Sequence, residues 1–311
     1  MLGLSHEREV LRFAERKYQP MEYTYTGTAH KSLVDAYAAD DDDRFRTHQR
    51  SAFPERAATV EEIGILRRLL FPGCWNASEL VGDADVVKKT LDGLGQRFCQ
   101  GIQPYADQCL STVVTNVLDQ LPTIRRLLKR DVEAAYKGDP AAKSYVEVIR
   151  SYPGFHATMV HRVAHAIYEE GEGVYARELS EAAKTVSGID IHPGAELGEY
   201  FFIDHGSGVV IGETAEVGDW ARIYQEVTLG ALHFEEDEND ERTLKKGYKR
   251  HPTVGDNAVL GAGSKLLGPI TVGDHVSIEA NAWVTDDVPD HTTVFIKHPE
   301  QERKTRPPEQ R

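Results

Sequence analysis

Cysteine is scarce in this chain of 311 residues, which contains only Cys74, Cys99 and Cys109. The number is odd, and the spacing matches no metal-binding motif, so neither a disulfide framework nor a zinc cluster is indicated. We expect these residues to be ordinary thiols of a cytosolic protein that contribute packing rather than chemistry.

Long apolar runs are also missing. No stretch approaches the ~20 residues that a membrane-spanning helix requires, and the N-terminal sequence MLGLSHEREVLRF lacks the apolar core of a signal peptide. We therefore expect a cytoplasmic protein that makes no contact with a membrane.

Basic residues are outnumbered, because 36 Lys and Arg face 50 Asp and Glu, which gives a net charge of −14 and a pI near 5.4. This balance argues against general nucleic-acid binding and against docking on an anionic membrane. It still allows a local basic pocket for a phosphorylated cofactor.

What the sequence does contain is a repeat, because an apolar residue returns at every sixth position between Asp190 and Asp287. A period of six fits neither an α-helix nor a simple strand, and it is typical of a parallel β-helix built from hexapeptides. The repeat predicts a left-handed β-helix. Its apolar positions are Ile191, Leu197, Ile203, Val209, Ala215, Ala221 and Val227, then Val254, Leu260, Leu266, Val272, Ile278 and Val284.

Three hexapeptides complete one triangular coil, so residues eighteen apart, such as Ile191, Val209 and Val227, are predicted to stack in the interior. Side chains two apart share a face of a strand, which accounts for a second apolar set. An antiparallel β-sandwich, the alternative, would space its strands 8 to 12 residues apart. The second set is Ile211, Val217, Ile223 and Leu229.

The composition along the chain predicts an α+β protein with an all-helical N-terminal domain followed by the β-helix. Residues 1–57 are interpreted as a charged extension, 58–187 as the helical domain, 188–290 as the β-helix and 291–311 as a polar tail. A charged insertion at 231–249 abandons the repeat and must leave the coil as a loop.

Polar residues are concentrated in the first coils, at Asp-Ile-His-Pro (190–193) and Asp-His-Gly-Ser-Gly (204–208). A histidine paired with a carboxylate is a general-base unit, although hydrogen-bonded corner histidines would explain these residues equally well. No nucleophile elbow or activated cysteine is present, which favours direct attack by a substrate hydroxyl. Arg250 supplies a guanidinium suited to a carboxylate, and Gly230, Ala262 and Ala280 mark small corners along which a cofactor arm could lie.

Several motifs occur in an order that resembles serine O-acetyltransferases, over roughly residues 60 to 290. They are Asp-Pro-Ala (139–141), Gly-Phe-His-Ala (154–157), Asp-Ile-His-Pro (190–193), Asp-His-Gly-Ser-Gly (204–208), Val-Ile-Gly-Glu-Thr-Ala (210–215), Val-Thr-Leu-Gly (227–230), Arg-His-Pro (250–252) and Gly-Ala-Gly (261–263).

The resemblance implies transfer of the acetyl group of acetyl-CoA to L-serine, the first step of cysteine biosynthesis. His205 would be the general base and Asp190 would hold and polarise it. The carboxylates of Asp139 and Asp204 would contact the substrate, as would the two residues of the Arg-His motif. Those two are Arg250, on the serine carboxylate, and His251, in the same pocket, while acetyl-CoA would lie along Gly230, Ala262 and Ala280.

Family members form trimers or dimers of trimers, and cysteine commonly inhibits them, so both are expected here, with no metal. Ala231 stands where a second glycine is usual, and the charged insertion replaces a short glycine-rich loop. Because the insertion lies between the Thr-Leu-Gly and Arg-His-Pro motifs, our hypothesis is that it folds over the acetyl-CoA entrance. The terminal sequence Arg-Pro-Pro-Glu-Gln-Arg lacks the isoleucine typical of members that dock into cysteine synthase, which argues against that complex.

Three other functions are compatible with parts of this sequence. A related acetyltransferase could act on homoserine, a sugar or another small alcohol, but the charges of Asp139, Asp204 and Arg250 favour a zwitterionic amino acid. A metal-dependent hydratase on the same fold needs three converging histidines, and a non-catalytic scaffold would not need the catalytic set. The histidines available to a hydratase are His192, His205, His233 and His251.

Overall fold

The computed structural model describes residues 24–39, 56–106, 110–237 and 240–297. The chain falls into two units, 1–51 and 52–311, and the first contributes helix α1, Ala29–Ala39. Cys109, most of the predicted extension 1–57 and most of the predicted tail 291–311 lie outside the described residues. The bounds of the four predicted segments therefore stay predictions.

Helices occupy the second unit from Arg56 to Ser187. Prolines begin two of them, since Pro122 lies in the first turn of α5 and Pro153 opens α7, where the missing N–H costs no hydrogen bond. Gly188, with a φ of 70°, ends α8 in the left-handed conformation. The helices are α2 (Arg56–Leu70), α3 (Ala84–Ile102), α4 (Leu110–Asp119), α5 (Leu121–Gly138), α6 (Tyr145–Ser151), α7 (Pro153–Glu169) and α8 (Gly173–Ser187), with short 3-10 turns at Pro72–Cys74 and Ser78–Leu80.

The helices share one apolar core, in which side chains such as Leu66, Phe98, Leu128 and Leu179 have no exposed surface. Burying each such side chain contributes about 1.5–3 kcal/mol to folding. This core, rather than intrinsic helix propensity, holds the helical region together.

Very short parallel strands follow, and they stack into three sheets. Sheet A has the order β1-β4-β7-β12-β15, sheet B the order β13-β10-β5-β2 and sheet C the order β16-β14-β11-β6-β3. The predicted fold class is confirmed: a helical region followed by a β-helix of hexapeptide repeats. The strands are β1 (Asp190–Ile191), β2 (Glu196–Leu197), β3 (Phe202–Ile203), β4 (Val210–Ile211), β5 (Glu216–Val217), β6 (Arg222–Ile223), β7 (Thr228–Gly230), β8 (Glu236–Asp237), β9 (Asp240–Leu244), β10 (Thr253–Val254), β11 (Val259–Leu260), β12 (Lys265–Leu267), β13 (Thr271–Val272), β14 (Ser277–Ile278), β15 (Trp283–Val284) and β16 (Thr293–Val294).

The predicted stacking of the first coil was wrong in register. Ile191 pairs with Ile211, twenty positions on, and Ile211 pairs with Leu229, eighteen positions on. The corner at 204–208 therefore carries two residues more than the next corner on that edge, and it shifts the repeat by two. Val209 and Val227 remain fully buried, but they are two residues before the strand position that Ile191 occupies.

Two glycines let the helices approach the first coils closely. A Cβ on Gly154, in the first turn of α7, would overlap the carbonyl oxygen of Ile203. A Cβ on Gly138, the last residue of α5, would contact Phe202 and Arg222 on the outside of sheet C. Both approaches carry the ends of these helices to the corner that follows β3.

A buried ion pair joins the helices to the β-helix. The Arg162 guanidinium on α7 binds Asp131 on α5 through two hydrogen bonds of 2.7 and 2.9 Å, and both side chains are almost fully buried. The same guanidinium donates to the carbonyl oxygen of Gly198 at 2.7 Å, while Asp131 accepts the N–H of Phe201 at 3.0 Å. The pair thereby sets the position of the first coil against two helices.

The insertion at 231–249 folds as an antiparallel hairpin of β8 and β9. At its base, the N–H of Glu235 donates to the hydroxyl of Tyr248 at 2.9 Å, and Lys249 binds the carbonyl of Thr214 and the carboxylate of Glu216, both at 2.7 Å. The hairpin thus returns to the coil beside the residues that follow β4.

None of the helices in the described ranges combines the length and the apolar character needed to cross a membrane.

Candidate active site

One edge of the prism, formed by the corners that follow the strands of sheet C, carries part of the predicted site. We call it the His205 edge; it comprises residues 204–208, 224–227, 261–264 and 279–282. Successive corners are joined by backbone hydrogen bonds, for example from Glu226 to Ser207, from Gly263 to Gln225 and from Asn281 to Ala262 (2.8–2.9 Å). Each corner therefore sits directly on the one before it.

His205 lies at the start of this edge and is open to solvent. Its side chain is 70 % exposed, and its Nε2 atom lies 3.8 Å from Oδ1 of Asp204, which is only 14 % exposed. The backbone of His205 is left-handed, with a φ of 58°, as at several other corners of this β-helix. The imidazole therefore projects outward with a carboxylate beside it.

Asp139 reaches the same place from the end of α5. The hydroxyl of Tyr152 donates a short hydrogen bond to Oδ2 of Asp139, and the N–H of Ala141 donates to Oδ1 at 2.7 Å. These two bonds, the tyrosine's first, lower the pKa of Asp139, and the nearby His205 acts in the same direction. Burial, followed by the bond to Asp139, raises the pKa of Tyr152. The aspartate is thus held as an ion and the tyrosine as a donor.

Tyr152 was missed by the sequence reasoning, as was Arg222, which also lowers the pKa of Asp139. Tyr152 stands two residues before the Gly-Phe-His-Ala motif, and this adjacency was the one signal available. Arg222 stands in an ordinary strand position, so nothing in the repeat distinguished it.

Asp190 is bound elsewhere in this structure. Its Oδ2 atom accepts a hydrogen bond of 2.7 Å from Lys184, and its Oδ1 atom lies 3.3 Å from Arg177, both on α8. Among the described residues there is no bond between Asp190 and His205. The two segments are nevertheless adjacent, because the N–H of Gly208 donates to the carbonyl of Gly188 at 2.9 Å.

The second group of predicted residues lies on another edge, where the chain leaves sheet A. We call it the Arg250 edge; it comprises residues 192–195, 212–214, 230 and 250–251. Arg250 forms a short ion pair with Glu213, which also accepts a hydrogen bond of 3.2 Å from Tyr168. Burial opposes ionisation of Glu213, but the bond and charge of Arg250 outweigh it and lower its pKa.

Arg250 is further held by the base of the hairpin. Its guanidinium carbon lies 5.8 Å from the centre of the Tyr248 ring, within the range of a cation–π interaction, and its Nη1 donates to the carbonyl of Tyr248 at 3.4 Å. The insertion therefore contacts the residue predicted to bind the serine carboxylate.

His251 is buried and neutral. Its Nδ1 atom lies 3.1 Å from the backbone nitrogen of Thr214 and 2.8 Å from its hydroxyl oxygen. Burial, followed by the charge of Arg250, lowers the pKa of His251 to about 4. Burial also lowers the pKa of His192, which stands on the same edge.

Sequence reasoning missed Glu213 and Thr214 as functional residues, although both lie in the quoted Val-Ile-Gly-Glu-Thr-Ala motif. Their partners stand 37 residues away, beyond the insertion, so no local pattern connected them.

The predicted acetyl-CoA residues are divided in the same way. Gly230 ends β7 and opens the Arg250 edge, whereas Ala262 and Ala280 lie on the His205 edge, one coil apart. Among the described residues, no acceptor meets the backbone N–H of Ala262 or of Ala280. These two amides are therefore not used in pairing within the described chain.

A metal centre finds no support in the described parts of the chain, where no group of three or more His, Cys, Asp and Glu side chains could hold an ion. Of the four histidines considered for a hydratase, His192 and His251 share the Arg250 edge, His205 lies on the other edge and His233 lies in the hairpin.

The helical residues His161 and His165 pack with ring centres 5.7 Å apart, and His165 bonds the carbonyl of Pro193 at 2.8 Å.

Family models match two parts of the chain. Residues 93–159 match the model "Serine acetyltransferase, N-terminal", and residues 251–286 match "Bacterial transferase hexapeptide (six repeats)". The first match covers part of the helical region, and the second covers most of the β-helix that follows the insertion.

A curated relative named serine acetyltransferase, plasmid, from Synechococcus elongatus is 44 % identical over 243 residues, which are 72 % of this chain and 76 % of the relative. The solved structure of serine acetyltransferase isoform 3 from Entamoeba histolytica, in complex with cysteine, matches with a TM-score of 0.71 at 41 % identity, over 89 % of this chain and 95 % of that one. Serine acetyltransferase from Brucella abortus, in complex with coenzyme A, matches with a TM-score of 0.53 at 28 % identity, over 86 % of each chain. This chain belongs to the serine acetyltransferase family.

Proposed function

We propose that this protein transfers the acetyl group of acetyl-CoA to the hydroxyl of L-serine, with His205 as the general base. The observation that carries the proposal is the charge arrangement of the two edges. Carboxylates held as acceptors stand beside an open histidine on one edge, and a guanidinium with an imidazole donor stands on the other. Serine carries an ammonium and a carboxylate, so it suits both groups.

The chemistry proceeds by direct attack. Nε2 of His205 takes the proton of the serine hydroxyl as its oxygen attacks the thioester carbonyl carbon. The tetrahedral intermediate then collapses, the carbon–sulfur bond breaks, and the imidazolium returns the proton to the leaving thiolate. The products are O-acetylserine and CoA.

Asp190 is assigned the role of stabilising the imidazolium. The exposed ring of His205 is free to turn from Asp204 towards the neighbouring strand that carries Asp190. Asp204 and Asp139 are then available for the ammonium group of serine, and Tyr152 keeps Asp139 in place.

Acetyl-CoA is assigned to the His205 edge. Coils of a β-helix are ~4.8 Å apart, so the amides of Ala262 and Ala280 lie two and three coils beyond His205. An extended pantetheine arm can bond these amides and bring the thioester to the histidine. The Brucella abortus relative in complex with coenzyme A supports use of this co-substrate. The hypothesis that the insertion covers its entrance stays a prediction.

A second copy of the chain is assigned the role of completing the site. Sheet A separates the two edges, and its outer face carries exposed apolar side chains, with Val210 at 38 % and Trp283 at 66 % exposure. Packing these faces around a threefold axis would bring the His205 edge of one chain to the Arg250 edge of the next. This arrangement supports the predicted assembly into a trimer or a dimer of trimers.

Cysteine is proposed to bind the same groups as serine, because it shares the ammonium and the carboxylate and differs only in a thiol. The cysteine complex of the Entamoeba histolytica relative supports this. Homoserine or a sugar is less well matched, since homoserine places its hydroxyl one methylene further out and a sugar lacks both charges.

The test is thiol release from acetyl-CoA with L-serine, with L-homoserine and without an acceptor, for wild type and His205→Ala. We expect release that depends on serine and falls at least about a hundredfold in the variant, since loss of a general base removes that much rate. Because His205 is exposed, the variant should keep the wild-type melting temperature. Folded protein that releases no thiol with serine would contradict the proposal.

A further inference from the structure

We propose that Thr214 is a positioning residue that holds His251 with its single ring proton on Nε2, as a hydrogen-bond donor to the bound substrate. The part of this proposal in which Nε2–H binds the substrate rests on the proposed function. The tautomer of the His251 ring does not rest on it, because it follows from contacts within this chain.

Thr214 contacts both residues of the Arg250–His251 pair. Its hydroxyl oxygen accepts the backbone N–H of Arg250 at 3.0 Å and the backbone N–H of His251 at 3.2 Å. These two donors use both lone pairs of the oxygen. The hydroxyl hydrogen is then directed to Nδ1 of His251, which lies 2.8 Å away.

The backbone N–H of Thr214 also requires an unprotonated Nδ1 on the His251 ring. Its N–H donates to Nδ1 of His251 at 3.1 Å, so two donors converge on this nitrogen. A proton on Nδ1 would meet both of them. The neutral ring must therefore carry its proton on Nε2.

Gly212 provides the space that the ring occupies. A Cβ at this position would overlap Cδ2 and Nε2 of His251, so any other residue would displace the imidazole. Three consecutive residues thus act on the Arg250–His251 pair. Gly212 leaves room for the imidazole ring, Glu213 binds the guanidinium, and Thr214 accepts the backbone N–H groups of both residues.

Nε2 of His251 has no hydrogen-bond partner among the described residues, yet it is not one of their buried, unpartnered side-chain atoms. It is therefore a donor that stays accessible beside the Arg250 guanidinium. Two adjacent donors suit the two oxygens of a carboxylate. With the opposite tautomer, Nε2 would present a lone pair to that carboxylate and repel it.

The experiment compares Thr214→Val, which removes the hydroxyl at nearly constant shape, with Thr214→Ser, which keeps it. Thr253→Val is the matched control, because Thr253 bonds Glu216 at 3.1 Å on the outside of the next coil. Nitrogen NMR of protein labelled with ¹⁵N-histidine reads the tautomer, and His251→Gln assigns the signal. Steady-state kinetics give the Michaelis constants for both substrates.

We expect wild type, Thr214→Ser and Thr253→Val to show an unprotonated Nδ1 and a protonated Nε2 at pH 7. In Thr214→Val only the backbone donor remains, so the ring should exchange between tautomers. The Michaelis constant of Thr214→Val for serine should rise about tenfold, as the loss of one or two hydrogen bonds predicts. Its Michaelis constant for acetyl-CoA should stay unchanged. Thr214→Ser should remain within about twofold of wild type.

A protonated Nδ1 in the wild type would overturn the proposal, as would a Thr214→Val variant that matches Thr253→Val in both tautomer and Michaelis constant. The NMR result does not depend on catalysis. The expected tautomers in an enzyme that fails to acetylate serine would sustain the role of Thr214 and refute the proposed function alone.

Discussion

The two edges of the β-helix differ in how firmly their polar side chains are held. On the Arg250 edge, Arg250, Glu213, His251 and Thr214 bond one another, and the histidine is buried. On the His205 edge, the histidine is 70 % exposed and its nearest carboxylate lies 3.8 Å away. This difference matches the proposed roles, in which the Arg250 edge only binds the substrate and the exposed His205 moves a proton.

The largest expected effect comes from inactivating one edge in each of two variants, which tests whether the two edges of one site come from neighbouring chains. His205→Ala and Arg250→Ala should each be nearly inactive alone. If one site uses both edges from neighbouring copies, refolding the two variants together should restore a measurable share of wild-type activity, because some interfaces then combine two intact edges. The measurement is thiol release after co-refolding.

The control for this experiment is each variant refolded alone, with its oligomeric state checked by light scattering. Mixed oligomers without any recovered activity would mean that both edges of one chain serve the same site.

A second experiment separates the carboxylates near His205. Asp190→Asn should lower kcat about a hundredfold with little change in the Michaelis constant for serine, because the imidazolium loses its counter-charge. Asp204→Asn should mainly raise the Michaelis constant for serine, because it weakens binding of the ammonium group.

Lys184→Met is the matched control, since it removes the 2.7 Å bond to Asp190 but leaves the carboxylate. It should stay near wild type in kcat. If Asp204→Asn lowers kcat and Asp190→Asn does not, then Asp204 is the partner of His205 during turnover.

The smallest expected effect concerns Tyr152, the residue that holds Asp139 on the more open edge. Tyr152→Phe removes only the hydroxyl and should raise the Michaelis constant for serine several-fold, because one hydrogen bond to a charged group is lost. The substitution should also raise the pKa of Asp139, because the hydrogen bond from Tyr152 is the main cause of its lowering. The carboxylate would then become protonated at a higher pH than in wild type.

The check is the Michaelis constant for serine between about pH 3 and pH 8, because the window must include the ordinary aspartate pKa of about 3.9, below which the pKa of Asp139 lies. As the pH falls, the constant of the variant should rise before that of wild type, while the two run parallel near pH 8. Tyr136→Phe, on an exposed tyrosine of α5, is the control. Parallel curves for all three proteins would remove Tyr152 from the site.

Particular residues show how far the sequence could lead. The spacing from Ile191 to Val284 was enough for the β-helix, because a six-residue period has few structural solutions. It could not show the two extra residues at 204–208, since Val209 is as apolar as Ile211 and both are buried. Asp139, His205 and Arg250 were predicted from their motifs, whereas Tyr152, Glu213 and Thr214 are distinguished only by their contacts with residues distant in the chain.

By itself, the sequence determined the order of a helical region and a β-helix and the family, and it supplied the residues of the predicted site. Periodicity and motifs are local along the chain, so they can be recognised without coordinates. Only the tertiary structure decided that these residues divide between two edges, that Asp190 binds Lys184, and that Thr214 meets His251 across the insertion. Such contacts depend on how coils and helices stack, and residue spacing alone does not encode the two-residue shift that aligns them.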